Sequence, residues 1–419
     1  MYNRRIITSL LFLVVCSLLW GQTSRKEVYS DLRSTGGVYR AYPTDIPAQS
    51  APPAGYEAFY ISHYARHGSR YLISEKDYTK TLNLLQAAHD ASALTPLGED
   101  VLSRVKLIYE DARGRGGALS SLGVKQHRGI AERMYAHYPN LFAKAEGITA
   151  RSTTVVRCVL SMVAFCERLK ELRPELEIEK ESCDRYMGYL NYHTEESNAF
   201  NSHENPWYQE YREFRKANTD PDRLIKSLFK DSSYAGKPDV TMKQLYAIAS
   251  DIQDTELEGV TLYDIFTPEE LFNLWQVGNY KNYVVDGPSP LSGGLKLANA
   301  RTLLENVLDT ADEVIASGCC SATFRFGHDG NVIPFAGLLH LDGCYGEETD
   351  PAKVYKVWSN FKVTPMAANI QIIFFRNAST GDVLVKFMLN ETEKAIPLTT
   401  DLFPFYHWND VRAYYKTLL

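Results

Sequence analysis

Three times along this chain an apolar run stops abruptly at a turn dense in charged and small polar residues. Residues 56–64 run into Ala65-Arg66-His67-Gly68-Ser69-Arg70, residues 147–150 into Arg151-Ser152-Thr153-Thr154, and residues 322–326 into Gly327-His328-Asp329-Gly330-Asn331. Helical patterns follow, at 75–89, at 97–112 and again through Leu169, and Leu119-Ser120-Ser121-Leu122-Gly123 opens another that lasts to Tyr138. Strand, polar turn and helix in alternation predict an α/β fold. In such a fold the polar turns gather at the carboxyl edge of one sheet, where ligands bind. Further strands are expected at 369–376 and 383–389.

The 419 residues are 45% hydrophobic and 23% charged, enough to bury a large core. Between about 171 and 299 the strand signals fade and polar segments rich in Tyr, Glu and Lys take over. This predicts a mostly helical cap inserted into an α/β core of residues 56–170 and 300–419. Residues 23–55, rich in Pro, Ser, Gly and Thr, read as an irregular arm over the surface. Residues 1–22 read as a cleaved signal peptide, because Arg4 and Arg5 precede an apolar run from Ile6 to Trp20 that has the length of a leader core rather than a membrane span. The expectation is export to the periplasm or the medium without a stable membrane anchor. Cys16 is a weaker candidate for lipid attachment, since Val15 before it is bulky.

Six cysteines follow the leader: Cys158, Cys166, Cys183, Cys319, Cys320 and Cys344. An even count in an exported chain permits disulfides without fixing their pairing. No pair has zinc-ligand spacing with histidines nearby, so no metal site is expected. The net charge of -6 creates no field that would gather nucleic acid, so an anionic ligand must be held by a local positive cluster.

Arg66, His67 and Arg70 form such a cluster. Arginine suits an oxyanion because its planar fork gives two parallel charge-assisted bonds, and Gly68 lets a small ligand approach the backbone closely. Taken alone, this hexapeptide is read equally well as surface arginines around a satisfied turn histidine. Arg151 after the second strand and His328-Asp329 after the third tip the balance toward one shared site. His63 and His127 read as packed or supporting groups, His127 hydrogen-bonding behind the site, and Cys158 and Cys166 as core residues.

These residues resemble a known family. Arg66-His67-Gly68-Ser69-Arg70 resembles the RHGxR signature of histidine acid phosphatases, and His328-Asp329 resembles their HD signature. Leu122-Gly123 with Gln126-His127 and Gly129 looks like the LTxxGxxQH segment, and Arg151-Ser152-Thr153 with Arg157, Ser161 and Ala164 like a third stretch. The resemblance implies a phosphoglycerate mutase-like three-layer α/β/α core with the helical cap. It also implies a phosphohistidine formed on His67, with Arg66, Arg70, Arg151 and His328 around the phosphoryl group and Asp329 as proton donor to the leaving alcohol. No cofactor is implied, and the only partner is a small phosphate ester.

Two branches of that family compete. The RHGSRY turn, Pro365-Met366-Ala367-Ala368-Asn369 and Leu389-Asn390-Glu391 look like the multiple inositol-polyphosphate phosphatases, whose donor is the glutamate of an HAE motif. Here Asp329 and Gly330 stand where that alanine and glutamate are expected. Inositol polyphosphates such as phytate are therefore the expected substrates, with sugar phosphates or a broad range of monoesters as the alternative. A phosphoglycerate mutase-like transferase shares the RHG turn, but export and the HD pair favour hydrolysis. A non-catalytic phosphate-ester binding protein would have no use for His67 beside Asp329.

Overall fold

The computed structural model describes residues 23–419; the expected leader and Cys16 lie outside the described residues. Eight strands form one sheet: β1 (Tyr56–Arg66), β2 (Ile148–Ser152), β3 (Ile178–Ser182), β4 (Ala322–Gly327), β5 (Asn369–Asn377), β6 (Val383–Leu389), β7 (Thr392–Lys394) and β8 (Phe405–His407). Their order is β3-β2-β4-β1-β5-β6-β7, with β8 pairing β6. The first four are mutually parallel, and β5 and β6 run antiparallel to their neighbours. The register aligns Arg66 with Gly327, and Ser152 with Phe326, so the three expected turns leave one edge side by side.

The helices that matter below are α1 (Lys76–Asp90), α2 (Pro96–Ala112), α3 (Ser121–His137), α4 (Val156–Leu172), α5 (Pro238–Ile252), α6 (Pro268–Val285), α7 (Arg301–Ser317), α8 (Asp329–Leu338) and α9 (Trp408–Lys416). Alternation along β1 divides the sheet into two faces. Ile61 and Ala65 join Phe324, Phe326 and Ile373 beneath Ile130 and Met134 of α3 and Phe165 and Leu169 of α4. Tyr60 and Tyr64 face the other way, with Ile372 and Phe374, onto α7, α8 and α9. The result is the three-layer α/β/α core.

A third apolar cluster lies away from the sheet. Leu85 of α1 and Val101, Leu102 and Val105 of α2 pack on Met242 and Leu245 of α5. The helical part is thus built from two stretches of chain, one ahead of the expected insertion and one inside it. The insertion also begins later than residue 170, because β3 still pairs with β2 in the sheet. Its sequence, Ile-Glu-Lys-Glu-Ser, hides the strand: a charged edge strand protects the open side of a sheet and carries little apolar alternation.

The arm also departs from expectation. A short helix at Arg25–Ser30 and a 3-10 segment at Leu32–Tyr39 replace irregular chain, and Ser34, Thr35, Gly36 and Gly37 are buried. This segment wedges against α5, α6 and residues 360–363. No disulfide forms among the described residues, and all six cysteines are free thiols.

Local signals set the helix starts. Thr95 Oγ1 accepts from Gly98 N at 3.1 Å with Pro96 in the first turn, and Ser120 Oγ accepts from Gly123 N at 3.2 Å. Thr267 and Glu270 close a full capping box at the start of α6. Thr267→Ala should lower stability by about 1 kcal/mol, read as a shift in the urea midpoint at unchanged slope.

Candidate active site

The turn after β1 is fixed amide by amide. Arg66 N donates to Ala368 O at 2.7 Å, His67 N to Gly327 O at 3.0 Å, Gly68 N to Ser161 Oγ at 3.1 Å and Ser69 N to Gln126 Oε1 at 2.9 Å. Ser69 Oγ then donates to the buried Asp254 at 2.6 Å. Two glycines make the fit possible: a Cβ on Gly68 would stand 2.5 Å from Gly123 O, and one on Gly123 would stand 2.3 Å from Ser69 O. The start of α3 therefore presses directly on the turn, which explains the spacing of Leu122-Gly123 and Gln126 read from the sequence.

His67 is buried and its tautomer is assigned by one bond: Nδ1–H donates to Gly68 O at 2.9 Å. Nε2 is left with its lone pair. Burial pushes the ring's pKa well below 6.5, and Arg66, Arg157 and Arg70 add to the shift against the opposing Gly68 carbonyl, so the imidazole is neutral. His328, the residue before α8, lies with its ring centroid 5.8 Å from that of His67 and its Nε2 3.2 Å from Thr153 Oγ1. Burial, followed by Arg157, brings its pKa down to about 4.

Three guanidinium groups surround the imidazoles. Arg66 is fully buried; Nη1 donates to Val38 O at 2.5 Å and Thr364 O at 2.9 Å, while Nη2 stands 3.3 Å from Asp329 Oδ2 without hydrogen-bond alignment. Arg70 stacks on Tyr39 at 4.9 Å and donates to Tyr71 O at 2.8 Å. Buried guanidinium nitrogens of Arg66 (Nε and Nη2), Arg70 (Nε) and Arg157 (Nε) have no hydrogen-bond partner in the protein. Unpaired buried donors on cations are costly, and an oxyanion with several lone pairs satisfies them together. Asp329 sits in the first turn of α8. Burial pushes its carboxyl up, but Arg66, Arg70, His328 and the Gly330 amide outweigh this and hold it below the usual aspartate range.

The structure thus brings Arg66, His67, Arg70, His328 and Asp329 together. It does not bring Arg151. That guanidinium turns to the neighbouring edge strand, paired with Glu179 at 2.6 Å and Glu181 at 2.9 Å and stacked over Tyr186. Arg151 lies within β2, where the pleat and the two β3 carboxylates decide its direction. Arg157, in the first turn of α4, is the arginine of this stretch near the imidazoles: it shares a helical face with Ser161, whose hydroxyl reaches Gly68, and it acts electrostatically on both His67 and His328. The i,i+4 spacing of Arg157 and Ser161 was visible in the sequence. Val38 and Tyr39 were not, because nothing in the arm's composition marks them.

The supporting groups also differ in detail. His63 stacks on Phe165 at 5.3 Å and His127 lies edge-on to Phe326 at 5.6 Å. No ring nitrogen of either makes a hydrogen bond of full geometry; burial pushes both rings down to about 3, with His127 a further cause at His63 and the Arg66 backbone, behind the site, opposing the shift at His127.

Residues 64–390 match the family model described as histidine phosphatase superfamily (branch 2). The chain belongs to that family. It is accordingly an enzyme of the histidine acid phosphatase type, with phosphatase activity. Comparison with curated proteins gives no match. Among solved structures it is similar to a multiple inositol polyphosphate phosphatase of Bifidobacterium longum crystallised with inositol hexasulfate, at TM-score 0.74 and 20% identity over 90% of this chain and 97% of the other. It is also similar to the phytase of D. castellii, at TM-score 0.66 and 15% identity over 92% and 85%, and to that of Citrobacter braakii, at 0.53 and 12% over 86% and 98%. At these identities the likeness is one of fold.

The contact between the two glycines gives a direct test. Gly123→Ala should destabilise the phosphatase by about 1–3 kcal/mol and depress turnover, since backbone faces the added methyl. Gly129→Ala, on the same helix, meets no backbone but only Arg133 Nη1 at 3.1 Å, on a guanidinium paired with Glu391, and should cost less on both counts. Thermal melts and turnover of the two variants side by side check this.

Proposed function

We propose that this phosphatase hydrolyses phosphomonoesters through a phosphohistidine on His67, with inositol polyphosphates such as phytate as substrates. The observation that carries the reading is the free Nε2 of a neutral, buried His67 facing guanidinium donors that lack partners. In the first step Nε2 attacks phosphorus, the bond to the ester oxygen breaks, and Asp329 protonates the departing alkoxide. In the second, water attacks the phosphohistidine, Asp329 takes the water's proton, and phosphate leaves with His67 restored. Arg66, Arg70, Arg157 and His328 hold the equatorial oxygens throughout. The charge that such a transfer needs is supplied by these side chains.

The inositol-polyphosphate preference is supported by the RHGSRY turn, by Asn390-Glu391 following β6 and by the likeness in fold to a multiple inositol polyphosphate phosphatase and a phytase. The helical part over the sheet edge would then set specificity. The basic, apolar leader at residues 1–22 supports export, and among the described residues no helix is long and apolar enough to cross a membrane.

Phosphate release from inositol hexakisphosphate and from an aryl phosphate, measured in acid with chelator present, tests the reading. Release from both, faster from the inositol ester and abolished by His67→Ala, is expected. Release that survives His67→Ala would sink it, and no release from either would leave a binding protein. Arg157→Ala should cost at least about tenfold in kcat/KM, and Arg151→Ala little. Because Asp329 works as an acid only when protonated, activity on alkyl esters should be present in acid and lost as pH rises. His67 stays neutral across that range, since its pKa is depressed. A pH–rate profile of kcat/KM that rises toward alkali contradicts the assignment.

A further inference from the structure

The chain has a second carboxyl beside Asp329. Asp286 closes the C-terminal end of α6, its backbone N–H bonded to Asn282 O at 3.0 Å. Gly330, the residue after Asp329, leaves the space between them open: a Cβ there would lie 3.7 Å from Asp286 Oδ1. The two carboxyls occupy opposite electrostatic positions. Asp329 is in the first turn of α8, where the helix dipole favours an anion, and Asp286 is at the end of α6, where it disfavours one.

The remaining charges reinforce this split. Asp329 faces Arg66, Arg70 and His328. Asp286 faces Asp329 from α8, Lys296 from the short helix Leu295–Ala298, and Asn282 and Lys281 from its own helix. Lys296 is buried, with Nζ donating to Ser197 O at 2.6 Å and Ser197 Oγ at 3.1 Å. His193 stands beyond it, near both Lys296 and His328. Burial and then Asp329 raise the Asp286 carboxyl to about 7, more than Lys296, Asn282 and Lys281 lower it. Neighbouring carboxyls driven apart in this way mark where a proton is kept and where it is missing.

We propose that Asp286 holds the proton that Asp329 delivers to the leaving alcohol, which makes it a positioning residue for proton transfer. This rests on the reading of Asp329 as donor. In the empty site the pair carries one proton, on Asp286. When the substrate's phosphate oxygens take up Arg66 and Arg70, Asp329 loses the cations that kept it ionised, and the proton passes to it from Asp286. Asp329 gives that proton to the ester oxygen as the P–O bond breaks. The hydrolytic water then returns one to Asp329, and departure of phosphate sends it back to Asp286. The two groups titrate as a pair, so the enzyme keeps its acid to a higher pH than a lone aspartate allows.

The test is the pH dependence of kcat on inositol hexakisphosphate and on p-nitrophenyl phosphate, whose leaving group departs without a proton. For the wild type the alkaline limb on the inositol ester should lie nearer 7 than the ordinary aspartate value of about 3.9. In Asp286→Asn that limb should move toward acid by at least about one pH unit. The loss at pH 6 should be about tenfold larger on the inositol ester than on the aryl ester. An unmoved limb, or equal losses on both esters, overturns the proposal. If Asp286→Asn does not fold, the wild-type profile decides: a limb near the ordinary aspartate value overturns it. Activity that survives His67→Ala would instead defeat the underlying mechanism, whatever Asp286 does.

Discussion

Arg66, Arg70 and Arg157 are held together at one sheet edge with donors that no protein group satisfies. Everything around them serves to keep that unfavourable arrangement in place. Arg66 is tied through Nη1 to two carbonyls from distant segments, Val38 and Thr364, and Arg70 is stacked on Tyr39. The packed core on both sheet faces and the buried arm supply the stability that the empty site lacks. Burial first, and then this positive field, keep His67 neutral, and the same field holds Asp329 ionised against its own burial.

Precision at the site comes from backbone contact. The Gly68–Gly123 approach lets the start of α3 act as a wall behind the turn, and Gln126 and Ser161 then take the turn's amides. Deeper still, Ser69 donates to Asp254, whose carboxyl burial raises well above the usual range, with Asp251 adding to the shift. Tyr78 in turn donates to Asp251. Both acids are buried and bonded to Ser69 and Tyr78, and through those bonds they brace the turn.

Much of this was legible in the sequence because it depends on local pattern. The strand runs before Arg66 and Gly327 were clear from β-branched and aromatic alternation, and their register in the sheet puts His67 and His328 in neighbouring turns. What escaped depends on direction and on distance along the chain. Arg151 and Arg157 are six positions apart in the one stretch that resembles the family's third motif, and only the pleat of β2, together with Glu179 and Glu181, turns Arg151 away. β3 was hidden by its charges, and the buried arm by a composition that ordinarily means loop. Asp286 lies 43 positions from Asp329 on another helix, and no motif links them.

The central claim is that phosphorus is bonded to His67 during turnover. Wild-type enzyme mixed with excess substrate and quenched in alkali, which preserves phosphohistidine, can be digested and its peptides weighed. The account predicts one phosphoryl group on the peptide containing His67, formed as fast as or faster than phosphate is released. Phosphate release without any such adduct, or an adduct on another residue, would contradict it.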